Sequence, residues 1–269
     1  MSDKKQIPEP LEALALILGT FAILFISLLL YSGIQGPVSD AENFKTGSRY
    51  FFIFGGLLFG LIPLLYARWR KYDMRRLFRL NPVSWRVLFL SIATALALSV
   101  IGDELDRLLN MLVTVPDWLL ESMRPLKAQS GWDWFLIISG AVIVAAIAEE
   151  LLFRGFLQVA LERKGDVTRA VILTSLAWTL IHQNPYWAVE IFIIGIFIGF
   201  LAWRTDSLLP PITVHMVNNL LAVIFLNVDL ESSMGWYTWG EHVSPIVLVL
   251  AVGLLIWSLR EITRVYRRG

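Results

Sequence analysis

Apolar residues in this chain run in blocks of about 17–25 positions, the length that carries a helix across a bilayer core of roughly 30 Å. Polar and turn residues gather between the blocks. The pattern predicts eight transmembrane helices, at residues 11–31, 50–67, 85–101, 132–162, 169–182, 187–203, 209–226 and 244–259. The fourth is about 30 residues, or roughly 45 Å of helix, too long to stand straight across a membrane. Gly155 offers it a place to bend. The fifth is short and ends at Asn184-Pro185, because the residue before a proline resists the helical region. Residues 103–131 are too polar to span, yet Leu105, Leu108, Leu109, Leu112 and Val113 recur at helical spacing. They predict an amphipathic helix, broken at Pro116, that lies in the interface or packs as a loop helix. With no internal repeat or long linker, a single domain 1–269 is expected. Accessory helices occupy 1–131, a core 132–226, and a loop and last helix 227–269.

Composition strengthens the membrane reading. Hydrophobic residues make up 57% of the chain and charged residues 17%, with a mean hydropathy of +0.65, outside the profile of a soluble domain. The expected fold class is an all-α, polytopic membrane bundle of about eight transmembrane helices. Net charge is +1, and the cations gather at segment ends, so nucleic acid is not an expected partner. There are no cysteines, which excludes disulfides, thiol nucleophiles and cysteine-ligated zinc. Lys4 and Lys5 precede the first block, which is long enough to span and lacks a small-residue cleavage pattern; a retained anchor is expected.

Loop charges set the orientation. Arg68, Arg70, Lys71, Arg75, Arg76, Arg79 and Arg86 between the second and third spans point to the cytoplasm. That choice places Arg163, Lys164, Arg169, Arg204 and the basic tail from Arg260 to Arg268 on the same side. Asp40, Glu42, Asp229, Glu231 and Glu241 fall opposite. Both termini are therefore expected in the cytoplasm, and the short chain with these loop charges suits a prokaryotic plasma membrane.

Candidate chemistry centres on Glu149, Glu150 and Arg154, inside a run that is uncharged from Phe135 to Ala148. Each ionisable group at bilayer depth costs roughly 2.5–3.5 kcal/mol on insertion scales, so three together need pairing or a wet cavity. Glu150 and Arg154 stack four residues apart as an ion pair, while Glu149 points to a neighbouring sector. A charge cluster that only pins helix packing is the structural alternative. His182 lies in the last turn of the fifth span, and His215 shares a helical face with Asn219 on the seventh, behind Pro210-Pro211. Counted from the basic ends of their spans, Glu149, His182 and His215 lie about 21, 20 and 16 Å deep at helical rise. Carboxylate, imidazole and amide at one depth suit a water-attack chemistry: a base takes the proton of water, and hydrogen-bond donors stabilise the oxyanion.

At these residues the chain resembles the CPBP intramembrane protease family, which includes CAAX prenyl proteases of the Rce1 type and bacterial members linked to bacteriocin immunity. The motif Glu-Glu-x-x-x-Arg is matched by Glu149, Glu150 and Arg154. Phe-x-x-x-His is matched by Trp178 and His182, with tryptophan replacing phenylalanine, and His-x-x-x-Asn by His215 and Asn219. The resemblance spans Trp132 to Leu226. It implies a protease in which Glu149 activates water with His182, His215 and Asn219 form the oxyanion hole, and Glu150 and Arg154 orient the first helix. Trp178 would shape the substrate pocket. The implied substrate is a membrane-embedded or lipidated peptide, prenylated in part of the family, with no cofactor.

Zinc held by Glu149, His182 and His215 is the alternative cofactor reading, although no His-Glu-x-x-His helix is present. A non-catalytic immunity protein or scaffold and a proton-coupled transporter are the readings from other classes. Glu190 is expected at the interface or in the pocket, and His242 exposed in a loop. Ser139, Thr174 and Ser175 suit bonds to the preceding helical turn, and Gly195 with Gly199 suits close intramolecular packing.

Overall fold

The computed structural model of the chain describes residues 7–35, 41–228 and 235–267. Lys4, Lys5, Asp40, Asp229, Glu231 and Arg268 lie outside the described residues, as does the side chain of Glu42. The elements in chain order are α1 (Pro10–Gln35), α2 (Ala41–Trp69), α3 (Met74–Leu77), α4 (Trp85–Asn110) and α5 (Asp117–Ser122). They continue with α6 (Gly131–Lys164), α7 (Val167–Ile181), α8 (Ala188–Thr205) and α9 (Leu209–Asn227). A two-stranded hairpin, β1 (Thr238–Trp239) and β2 (His242–Val243), precedes α10 (Pro245–Val265).

The protein is an all-α, multi-pass membrane protein. Seven helices among the described residues are long and apolar enough to cross a bilayer: α1, α2, α4, α6, α8, α9 and α10. The eighth expected span is α7, an apolar helix of 15 residues, or roughly 22 Å at helical rise.

The expected separate amphipathic helix at 103–131 is corrected. Leu105, Leu108 and Leu109 belong to α4, which runs on to Asn110. The polar residues there do not stop the helix, because Arg107 pairs with Asp103 one turn back at 3.2 Å. The expected break at Pro116 falls after α4 has already ended at Asn110, and Pro116 stands at the N-cap position of the short α5.

Two compact units comprise Met1–Leu80 with Arg124–Ala170, and Asn81–Met123 with Val171–Gly269. In the first, α2 and α6 pack through small residues. A side-chain carbon on Gly56 would come within 2.7 Å of Val144, one on Gly60 within 3.2 Å of Ala148, and one on Gly140 within 2.9 Å of Phe52. The start of α6 is fixed by a capping box between Ser130 and Asp133. Buried Arg49 also ion-pairs with Asp133 and donates to the carbonyls of Pro125 at 2.9 Å and Lys127 at 2.6 Å. At the other end, the Phe156 ring meets Tyr66, Tyr72 and Phe78 at 6.0, 6.4 and 6.3 Å between centroids.

In the second unit, α4 packs against α9 and α10. Thr94 and Ser258 share a buried hydroxyl contact at 2.9 Å, and the Ser99 hydroxyl donates to the Asn218 amide oxygen at 3.1 Å. The hairpin is clasped to the end of α4. Val243 N–H donates to Glu104 at 2.7 Å, His242 Nδ1 lies 2.8 Å from the same carboxylate, and Tyr237 donates to Asp103 at 2.8 Å. Burial and the adjacent Asp103 push the Tyr237 phenol up from its ordinary value, so it stays a neutral donor.

Candidate active site

In the first unit, Glu149, Glu150 and Arg154 lie on α6 where its backbone changes register. Residues Ile138–Val144 and Leu151–Leu157 are π-helical, and between them Ala145–Glu150 is a short α-helical piece. Wider turns of this kind interrupt α-helices mostly as single bulges, frequently at functional sites. The expected bend point Gly155 falls inside the second of these stretches, and Phe78 fills the notch beside it: a side-chain carbon there would come within 2.8 Å of the Phe78 ring.

Glu150 and Arg154 are both 0% exposed, and Arg154 Nη1 donates to Glu150 Oε1 at 2.9 Å. Glu149 is only partly buried. The spacing of four continues along the helix through fully buried Gln158 to Glu162, whose carboxylate accepts from Gln158 Nε2 at 2.8 Å and ion-pairs with buried Arg79. This ladder anchors the helix that carries Glu149.

In the second unit, Trp178 organises the two histidines. Its buried ring lies edge-to-face with His182 at 5.0 Å and with His215 at 5.2 Å. His182 is exposed just past the end of α7, and His215 is 3% exposed on α9. His182 Nδ1 lies 2.7 Å from the Trp178 carbonyl oxygen. A carbonyl only accepts, so Nδ1 carries the proton, and in the neutral ring Nε2 presents its lone pair.

The chain turns sharply after His182, with Gln183 in the left-handed region at φ 50°. The Asn184 side chain then accepts from Tyr186 N–H at 3.0 Å, starting the turn into α8. Asn219 is half-buried one turn beyond His215, while Asn218 is engaged by Ser99. The structure thus groups Glu149, Glu150 and Arg154 in one unit, and Trp178, His182, His215 and Asn219 in the other. Within neither unit, among the described residues, do three His, Asp or Glu side chains form a metal-holding group.

Residues 131–221 match the family model described as type II CAAX prenyl endopeptidase Rce1-like. The chain carries an Rce1-like domain. The domain covers about a third of the sequence and contains all seven residues named above. The family behind that match is one of CAAX-type intramembrane proteases, hydrolases with membrane-associated protein substrates. Comparisons with curated proteins and with solved structures found no match.

Residues beside the Rce1-like motifs have structural partners. Glu190 packs its carboxylate against α4, where a side-chain carbon on Gly102 would lie 2.6 Å from Oε1. Ser175 bonds the Val171 carbonyl one turn back at 2.7 Å, as expected of an intramembrane hydroxyl. Thr174 makes no such bond, and its buried hydroxyl has no hydrogen-bond partner among the described residues. Gly195 does allow close packing, since a side-chain carbon there would come within 3.0 Å of Ser175 and 3.1 Å of Trp178. The expectation of a merely exposed His242 misses its Glu104 contact. Arg49, Gln158 and Glu162 escaped the sequence reading, although Glu150, Arg154, Gln158 and Glu162 recur every four residues.

Proposed function

We propose that the protein is an intramembrane endopeptidase that hydrolyses a peptide bond in a prenylated or otherwise membrane-held substrate. In this reading Glu149, with His182, takes a proton from water as its oxygen attacks the scissile carbonyl carbon. The carbonyl oxygen becomes negative and is held by donors on His215 and the Asn219 amide. The carbon–nitrogen bond then breaks, and the leaving nitrogen receives the proton. Glu150 and Arg154 fix the helix that presents Glu149, and Trp178 shapes the substrate pocket and sets the two imidazoles. No cofactor is needed for these steps. The enzyme works in a prokaryotic plasma membrane with both termini in the cytoplasm.

The observation that carries this reading is the family match over 131–221, which spans every residue given a role. The His182 tautomer supports it, because a lone pair on Nε2 is what a base requires.

The test is cleavage of a fluorogenic peptide with a prenylated tetrapeptide tail by purified protein in detergent, with and without chelator. Wild type is expected to cleave in both conditions. Glu149→Ala and His182→Ala are each expected to lower kcat by about 10²–10⁴, the range supplied by general acid–base catalysis. Chelator-sensitive cleavage restored by zinc would replace this mechanism with a metal-dependent one. Folded wild type that cleaves no membrane-held peptide would favour a binding role, as an immunity protein or scaffold.

A further inference from the structure

At one end of the first unit, exposed bases outnumber the exposed acids Asp73 and Asp166. The α2 helix ends at Trp69, α3 follows, and α6 ends at Lys164. The acids here have internal work. Glu12 accepts from Tyr66 at 2.7 Å, Tyr72 at 2.5 Å and Arg70 at 3.1 Å. Glu162 holds Arg79 and Gln158, Asp73 caps α3 through the N–H groups of Arg75 and Arg76, and Glu9 pairs with Lys164.

Arg68, Lys71, Arg75, Arg76, Arg163 and Arg169 are all exposed, Arg163 while donating to the Ile7 carbonyl at 3.2 Å. Buried Leu77, Phe78 and Arg79 pin the intervening link to the unit, with Lys71 and Arg79 in left-handed turns at φ 58° and 44°. The cations are therefore displayed from a fixed segment. Among them Trp69 is 72% and Leu80 56% exposed.

We propose that this end of the protein is a binding surface for the headgroups of anionic phospholipids. Exposed cations beginning at the last residues of a membrane-crossing helix stand at headgroup height, where phosphates are dense. An amphipathic Trp ring and an exposed Leu fit the same layer, with their apolar surface toward acyl chains. A soluble acidic peptide would meet the cations but leave Trp69 and Leu80 in water, so the lipid is the better complement.

The experiment is native mass spectrometry of the full chain in neutral detergent, with phosphatidylglycerol or phosphatidylcholine of matched chain length added. Wild type is expected to retain phosphatidylglycerol in preference, less so as salt rises. Affinity should fall roughly fivefold for each cation removed, as about 1 kcal/mol per basic residue at an anionic surface implies. The variant Arg68→Gln/Lys71→Gln/Arg75→Gln/Arg76→Gln should lose the preference, and the charge-keeping Arg68→Lys/Arg75→Lys/Arg76→Lys should retain it. Lys127→Gln, near the start of α6, should change nothing. Equal retention of both lipids by wild type, or an undiminished preference in the glutamine variant, would overturn the proposal. Neither readout depends on proteolysis.

Discussion

Glu150 and Arg154 are both fully buried, so removing one charge strands the other. Arg154→Met is expected to destabilise the protein by about 3–5 kcal/mol, the cost of an uncompensated buried charge. Glu150→Gln/Arg154→Met should recover most of that loss, and thermal unfolding in detergent would measure both. A double variant no more stable than the single one would mean that Arg154 has a second essential partner. Trp178 makes a different prediction, because its edge-to-face contacts with His182 and His215 are each worth about 0.5–1.5 kcal/mol. Trp178→Ala should lower kcat roughly tenfold with a smaller change in KM, since loosened imidazoles cost orientation; Trp178→Phe should keep most of the rate. The ion pair was legible in the sequence, because a four-residue spacing is a local property of a helix. Arg79 was not. Its neighbours read as a solvated basic loop, and only the left-handed turn at Arg79 carries its side chain inward to Glu162.

The α6 helix shows what a hydrophobic pattern transmits and what it misses. Its length and its placement across residues 131–164 follow from apolar residues and flanking tryptophans, and the placement, though not the full length, of the other long helices follows likewise. The two π-helical stretches do not, because a register shift in backbone hydrogen bonds leaves the apolar run unbroken. The extension of α4 to Asn110 was missed for a related reason: polar residues that pair along the helix look like a boundary. Close packing against α2 can be tested at Gly140. An added methyl there would meet Phe52 at 2.9 Å and the Ile53 backbone nitrogen at 3.1 Å, atoms that cannot swing aside. Gly140→Ala is expected to destabilise by about 1–3 kcal/mol, the usual cost of overpacking. Gly131→Ala, where nothing lies within 4 Å, should be neutral or slightly stabilising. Equal unfolding temperatures for the two variants would show that α2 yields to α6.

The orientation of the whole molecule turns on the shortest apolar helix. Seven long helices alone would place the two termini on opposite sides of the membrane, while eight crossings return them to the same side. The α7 helix decides between these outcomes, and its length of roughly 22 Å falls short of a hydrocarbon core of about 30 Å. The turn from Gln183 to Trp187 would then sit within the membrane thickness, where non-helical backbone needs protein or a water-filled cavity around it. The Asn184 side chain satisfies the N–H groups of Tyr186 and Trp187 in that turn, so α7 can cross without stranding them. Because the chain has no cysteines, single introduced cysteines report position without background. Arg76→Cys and Arg267→Cys are expected to react with a membrane-impermeant maleimide only when the cytoplasmic face is opened, and Trp239→Cys in intact cells. If α7 does not cross, Arg76→Cys keeps its side while Trp239→Cys and Arg267→Cys exchange theirs. That result would also put His182 on the cytoplasmic side and remove the depth argument that sets it beside Glu149 in the sequence.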